Sequence, residues 1–386
     1  MKFTAIEVII SAGDKVKNLI KKILSYSMRR KILTALNRLW VSVCMLFPVK
    51  NRALFYTIRA SGRLLDNSRA VYDRLDCPKK FFAAKQPHSK LTKLKAYFLI
   101  LTSRVIVTDD YCGYLRAVKL RKNQRVFQIW HGCGAFKKFA LDSRSDVTPE
   151  YERAAHSQYS AVAVSAPACK KVFAGAFGIS EEKCVSIGIP MTDYLINNKE
   201  SLQSEALEKY PFLKGKKIFL YAPTFRETEG KVAPFDPGID WNSLSEKLAE
   251  DEIFIVRRHP IENNRFFERD HKNILDLTEA STIMLCACAD VIVTDYSSVV
   301  HDAVIIDKPV VFYCPDFRDY ERGFYIRYPE DLPGEAVTNP SELLYVIRKT
   351  AKEPPVDRIK RFRTEQLESC DGHSTERAVK LIKSWL

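Results

Sequence analysis

The chain has 386 residues, 46% hydrophobic and 28% charged, a globular mixture that excludes disorder, collagen-like repeats and a disulfide-stapled miniprotein. That length suits roughly two or three domains. Formal charge is +14, and residues 1–50 hold ten Lys or Arg against only Glu7 and Asp14, an imbalance that points to an anionic partner, lipid or nucleic acid.

Residues 15–47 read as one long amphipathic helix or two in tandem. Val16, Leu19, Ile20, Ile23, Ile32, Leu33, Leu36, Trp40 and Val43 recur at three- and four-residue steps, while Lys15, Lys17, Lys21, Lys22, Arg29, Arg30, Lys31 and Arg38 form the cationic side. Pro48 ends the pattern. A basic helix with a Trp- and Leu-rich face suits the membrane interface; the alternative is a helix packed on its own domain. No run of 18 apolar residues is present to span a bilayer, and MKFTAIEVIISAG lacks a convincing signal cleavage site. The ten cysteines show no CxxC pairing and read as small reduced core residues of a cytosolic protein.

Beyond residue 53, β-rich runs alternate with helical patterns. The first set lies at 53–57, 81–84, 105–108, 126–130 and 161–165, the second at 218–225, 253–256, 273–277, 291–295 and 310–313. Buried strands separated by helix-length segments predict parallel sheets covered on both faces. The polar stretch at about 188–217 separates two α/β halves, giving expected units of 1–50, 51–190 and 191–386. Two such sheets facing each other bring their strand C-terminal ends to one cleft, where ligands bind.

Polar motifs follow several of these strands. QIWHGCGAFKKF puts His131 just behind the 126–130 strand, then Gly132 and Gly134, which let backbone amides approach an anion, and Lys137 and Lys138. Histidine suits proton transfer near neutral pH. In the second half RRHP supplies Arg257, Arg258 and His259, forks and a proton donor for phosphate oxygens, with Pro260 stopping the strand. TDYSSVVHD places Ser297 and Ser298 where a helix begins, a suitable spot for an anion. GxGxxG and GxxxxGK[ST] are absent, which removes the main support for dehydrogenase and P-loop readings. Asp109-Asp110 lacks a third spaced carboxylate for a metal.

The ordered set WHGCGAFKKF, APTFRE, RRHP, TDYSSVVHD, KPVVFY and DFRDYERGFY, with GIPMTDYL at the junction and DGHSTERA near the end, resembles the CDP-glycerol glycerophosphotransferase family of teichoic-acid and related bacterial polymer synthesis. The resemblance runs from about residue 40 to 386. It implies a GT-B-like α/β architecture of two Rossmann-like domains, the N-terminal one (51–190) for the acceptor and the C-terminal one (191–386) holding CDP-glycerol. It implies transfer of glycerol phosphate to a hydroxyl of a lipid-linked saccharide or polyol-phosphate acceptor, with release of CMP, in teichoic-acid-like or capsular polymer synthesis. It also implies a peripheral position on the cytoplasmic face of the bacterial membrane. By the same resemblance His131 is the general base and His259 the second essential histidine, near the donor phosphates. Gly132, Lys137, Thr224, Arg226, Arg258, Thr294, Asp295, Ser297, Ser298 and Asp302 are expected to bind substrate. No cofactor, metal or nucleic acid is expected.

The chain departs from the family pattern at His301, where Phe is common, at Met191-Thr192, where Arg-Asn is common, and over 58–70. The Gly-Ala inserted in WHGCGAFKKF, and no appended domain, resemble the short primase-type members. CDP-ribitol is an alternative donor, and a GT-B glycosyltransferase using a nucleotide sugar is an alternative enzyme. A non-enzymatic basic binding protein would explain the charge, but not two histidines following strands in opposite halves.

Overall fold

A computed structural model describes residues 25–143, 148–228, 231–259, 261–262, 265–267, 271–318, 320 and 323–386. The part of the expected membrane helix at 15–24, with Lys15, Lys17, Lys21 and Lys22, lies outside them, as does Pro260. The described helix runs Tyr26–Cys44, opened by Ser25, whose Oγ accepts from the Met28 N–H at 3.2 Å. It stops before Pro48, a few residues short of the predicted end.

Strands β1 (Lys50–Thr57), β2 (Lys79–Ala83), β3 (Ser103–Thr108), β4 (Arg125–Gln128), β5 (Ala161–Val164) and β6 (Cys184–Ser186) form one all-parallel sheet in the order β2-β1-β3-β4-β5-β6. After the boundary come β7 (Lys217–Tyr221), a short antiparallel pair β8 (Arg226–Thr228) and β9 (Lys231–Ala233), then β10 (Glu252–Val256), β11 (Ile274–Asp276), β12 (Val291–Thr294), β13 (Val310–Tyr313) and β14 (Glu335–Val337). Apart from β8 and β9 these form a second parallel sheet, β11-β10-β7-β12-β13-β14. Every strand run read from the sequence has its counterpart. The unforeseen β6, β8, β9 and β14 are three-residue strands, too short to carry a periodic signal.

Both sheets bury both faces, as parallel sheets with crossover helices do. Along β1, Leu54 and Tyr56 enter one apolar cluster while Ala53 and Phe55 enter the other, the two-residue alternation of a strand. In each sheet the order reverses once, between β1 and β3 and between β7 and β12. At such switch points adjacent crossover helices leave on opposite faces and open a crevice at the strand C-terminal ends.

The last helix of the expected 191–386 unit lies against the first sheet. Helix Ser374–Trp385 packs on the first sheet, Ala378 and Ile382 sharing a buried cluster with Phe55, Val107 and Phe127. Its first turn is capped by the Asp193 carboxylate, which accepts from Ser374 N at 3.0 Å and Thr375 N at 2.6 Å, a favourable anion at a helix N-terminus. GIPMTDYL and DGHSTERA, far apart in sequence, therefore meet. Gly188 makes room for this: its φ is +78°, and a Cβ there would lie 2.2 Å from Ser374 Oγ.

Candidate active site at the cleft between the sheets

His131 follows β4 on a constrained backbone. Trp130 has φ +49°, unfavourable for a bulky residue. Two side chains hold it there: Gln128 Oε1 accepts from Trp130 N at 3.0 Å, and Asn67 Nδ2 donates to Trp130 O at 2.8 Å. This turn brings His131 Nδ1 to 2.8 Å from the Asp109 carbonyl. A carbonyl only accepts, so Nδ1 carries the proton in the neutral ring and Nε2 keeps its lone pair. Asp110 Oδ2 stands 3.9 Å from the same nitrogen. Asp109 is turned inward: Ser68 Oγ donates to its Oδ2 at 2.7 Å, and burial pushes its pKa upward.

The rest of the motif crosses to the second domain. Gly134 has φ +66°, and a Cβ there would lie 2.4 Å from His301 Nε2, so only glycine fits. Ala135 N donates to Gln366 Oε1 at 2.7 Å, Lys138 N to Gly323 O at 2.9 Å and Tyr325 N to Phe136 O at 2.9 Å. Lys137 lies 5.6 Å from the Tyr320 ring centroid. Gly132, by contrast, has nothing nearer to a built Cβ than Trp130 at 3.9 Å, leaving its Cα side open to a ligand.

In the second domain the expected residues fall at the β7/β12 switch point, but several are occupied internally. Asp295 is buried and accepts from Thr224 N at 2.8 Å and Arg226 Nη1 at 2.8 Å. Arg226 also bonds Asp316 at 2.5 and 3.0 Å and lies over Phe235, 4.0 Å from its centroid. Thr294 donates its hydroxyl to Ala222 O at 2.7 Å. Arg258 is buried and bound to Asp276 at 2.9 Å and to Glu262 O at 3.1 Å. These four hold the loops in shape.

The groups left to meet an anion are different ones. Arg257 forms no carboxylate pair among the described residues, its Nε is buried without a partner, and burial lowers its pKa. Thr224 Oγ1 is likewise unpartnered among the described residues. His259 packs its ring 4.6 Å from Phe225, and its Nδ1 accepts from Ile261 N at 3.3 Å. In its neutral form it therefore presents an Nε2–H donor. Desolvation first, then Arg257, hold its pKa below the usual histidine value. Ser298 makes no capping bond with its side chain, and Ser297 Oγ accepts from Val299 N at 3.3 Å.

Asp302 has its pKa pushed up to about 7, by burial and then by the Asp66 charge. It also acts electrostatically on Cys133, so it reaches the His131 segment across the domain junction. Asp66, Asn67 and Trp130 escaped the sequence reading. An Asn next to an acidic helix start carries no signal of its own, and only the fold brings residue 67 to residue 130. Arg257 was visible beside Arg258, but the sequence does not say which of two neighbouring arginines faces inward.

Two parallel α/β domains, with His131 fixed after β4 of one and Arg257, after β10 of the other, without a carboxylate partner among the described residues, give a GT-B-like arrangement. Solved structures agree on the fold. Wall teichoic acid polymerase TagF superposes with a TM-score of 0.71 at 21% identity, over 92% of this chain and 97% of that one. UDP-GlcNAc 2-epimerase from Neisseria meningitidis gives 0.56 at 12% identity, over 87% and 100%. A family model described as CDP-Glycerol:Poly(glycerophosphate) glycerophosphotransferase matches residues 45–384. The chain is 32% identical over 374 residues to the teichoic acid ribitol-phosphate primase of Bacillus spizizenii, covering 88% of this chain and 93% of that one. It is 30% identical over 310 residues to the teichoic acid glycerol-phosphate primase of Bacillus subtilis, covering 78% of each. The chain belongs to this family, the polyol-phosphate transferases of teichoic acid synthesis.

Proposed function

We propose that this protein transfers glycerol phosphate from CDP-glycerol to a hydroxyl of a lipid-linked saccharide or polyol-phosphate acceptor, releasing CMP. The observation that carries the reading is the His131 tautomer: Nδ1 is tied to the Asp109 carbonyl, so the ring offers Nε2 as a base. In the proposed step His131 Nε2 takes the acceptor hydroxyl proton as its oxygen attacks the glycerol-bearing phosphorus. The new P–O bond forms while the bond to the CMP phosphate oxygen breaks. Arg257 and the Nε2–H of His259 meet the charge that grows on departing CMP, the kind of stabilisation that matters most in phosphoryl transfer. Thr224 Oγ1, Ser297 and Ser298 hold the diphosphate. Asp302, protonated through part of the neutral range, serves as a hydrogen-bond donor beside it.

CDP-ribitol is the second reading, favoured by the fuller match to the ribitol-phosphate primase, 88% of this chain against 78% for the glycerol-phosphate primase. Single addition is the proposed mode, on the Gly-Ala form of the His131 motif. The test is incubation with CDP-glycerol, CDP-ribitol and a nucleotide sugar beside a lipid-linked acceptor. CMP release with a product heavier by one polyol phosphate supports the reading, and release of a nucleoside diphosphate overturns it.

The proposal includes peripheral attachment to the cytoplasmic membrane face. Among the described residues no helix is long and apolar enough to cross a membrane. Helix Tyr26–Cys44 nevertheless exposes Ile32, Leu33, Leu36, Leu39 and Val43, and the turn after it exposes Met45, Leu46 and Phe47. So large an exposed apolar surface beside Lys31 and Arg38 fits the headgroup boundary.

A further inference from the structure

We propose that a cavity of about 670 Å³ in the first domain, between helix Tyr26–Cys44 and the C-terminal ends of β1 and β3, binds the head of the acceptor, a diphosphate-linked sugar whose lipid stays in the bilayer. This rests on the transfer reading above and adds where the acceptor sits.

The first observation is position. The β1/β3 boundary is the switch point of the first sheet, the crevice where such sheets take ligands. Tyr56 of β1 and Tyr111 after β3 line the cavity. The loop carrying Tyr111 also supplies the Asp109 carbonyl that fixes His131. A head group held against Tyr111 therefore ends two residues from the element that orients the base.

The second observation is charge. Arg38, Lys93 and Arg116 line the cavity and, among the described residues, no carboxylate does. None of the three forms an ion pair with a carboxylate among the described residues; Arg116 lies over the Tyr151 ring, 4.5 Å from its centroid. Three unneutralised cations around one concavity suit a diphosphate.

The third is the aromatic lining. Tyr56, Tyr97, Tyr111 and Tyr114 offer ring faces, and sugar C–H faces pack on such rings while hydroxyls hydrogen-bond at their edges. Tyr114 OH is bonded to His88 Nδ1 at 2.7 Å. Tyr56 OH is fully buried, has the Cys112 thiol beside it and makes no hydrogen bond of good geometry. A buried hydroxyl without a partner is costly, and a small shift of Tyr56 toward the cavity would let a sugar hydroxyl or phosphate oxygen satisfy it.

The last is the wall. Asn37, Arg38 and Val41 close the cavity from the helix whose other residues, Leu36 and Leu39 among them, expose the apolar surface. A lipid lying along that surface delivers its head to this opening without leaving the bilayer. Free nucleotide donors have no such need.

The test uses the full chain, the variants Lys93→Ala/Arg116→Ala and Tyr56→Phe, and farnesyl diphosphate carrying N-acetylglucosamine as the probe. Inorganic pyrophosphate and anionic vesicles without saccharide are separate arms. The probe should bind the wild type and lose about tenfold or more in affinity in the double variant, with Lys93→Arg/Arg116→Lys restoring most of it. CDP-glycerol and CDP-ribitol affinities and vesicle binding should not change. In turnover, KM for the lipid-linked acceptor should rise while kcat stays within about twofold. Tyr56→Phe should weaken the probe without altering thermal stability downward. Unchanged probe affinity in the double variant overturns the assignment. So does pyrophosphate binding as tightly as the sugar-bearing probe, which would make the cavity a plain anion pocket. If the wild type turns over no CDP-polyol, the transfer reading fails, while probe binding and its loss in the variant still report on the cavity.

Discussion

At the scale of single residues, two adjacent arginines have opposite uses. Arg258 is buried on the half-buried Asp276, and removing it leaves that carboxylate with Thr278 as a hydrogen-bond partner, so Arg258→Ala should cost about 1–3 kcal/mol in urea unfolding. Arg257 lacks a carboxylate partner among the described residues, so Arg257→Ala should leave stability nearly unchanged and weaken CDP-polyol binding about tenfold in calorimetry. His131→Ala should lower turnover about 10²–10⁴-fold with donor affinity kept; near-normal turnover would remove His131 from the mechanism. Asp302 titrates near 7 in the fold and about 4 when unfolded. The fold therefore holds its proton more tightly, so Asp302 subtracts stability as pH rises from about 4 to 7 and the loss levels off above. The slope is at most about 1.4 kcal/mol per pH unit. Asp302→Asn should match the wild type near pH 4 and exceed it at pH 8 in denaturant unfolding; equal stability at both would show that burial does not bear on this carboxyl.

Among the elements, helix Tyr26–Cys44 carries both readings weighed for it. Cys44 is fully buried, and Trp40 Nε1 donates to Leu94 O at 3.0 Å, tying the helix to Lys90–Leu101. Its outer face is bare, with Leu36 55% and Leu39 62% exposed. Deleting everything before residue 50 would uncover the domain core as well as remove an anchor, so substitution is the cleaner probe. Leu36→Glu/Leu39→Glu should leave thermal stability within about 0.5 kcal/mol and sharply reduce sedimentation with anionic liposomes. Undiminished sedimentation would move the anchor elsewhere. The amphipathic period was plain in the sequence. That one stripe packs inward while a second faces out depends on helix Lys90–Leu101 lying alongside, which no local pattern encodes.

Over the whole molecule, the two domains are joined by segments that cross back. The His131 strand-end loop pairs with residues 323–325, and helix Ser374–Trp385 returns to the first sheet. The distance between base and donor site therefore depends on this junction. Gly134→Ala forces a side chain at φ +66° against His301, so it should lower turnover and loosen the junction together. Faster amide exchange at 132–138 and 356–367 would record it, and exchange as slow as in the wild type would contradict it.

By itself the sequence determined the two α/β halves, because buried parallel strands need continuous apolar runs and their crossovers need helix lengths. It also determined the family and the placement of His131 and His259 just after strands, since the motifs are contiguous strings at strand ends. Only the tertiary structure decided which polar groups remain unspent. Arg226, Arg258, Thr294 and Asp295 have partners drawn from distant residues, and Asn67 reaches Trp130 across 63 positions. The same holds for the cavity beside Tyr56, whose walls come from residues near 38, 56, 88, 93 and 114. Hydrogen bonds and burial are set by spatial neighbours, and a parallel sheet makes neighbours of segments that the chain keeps far apart.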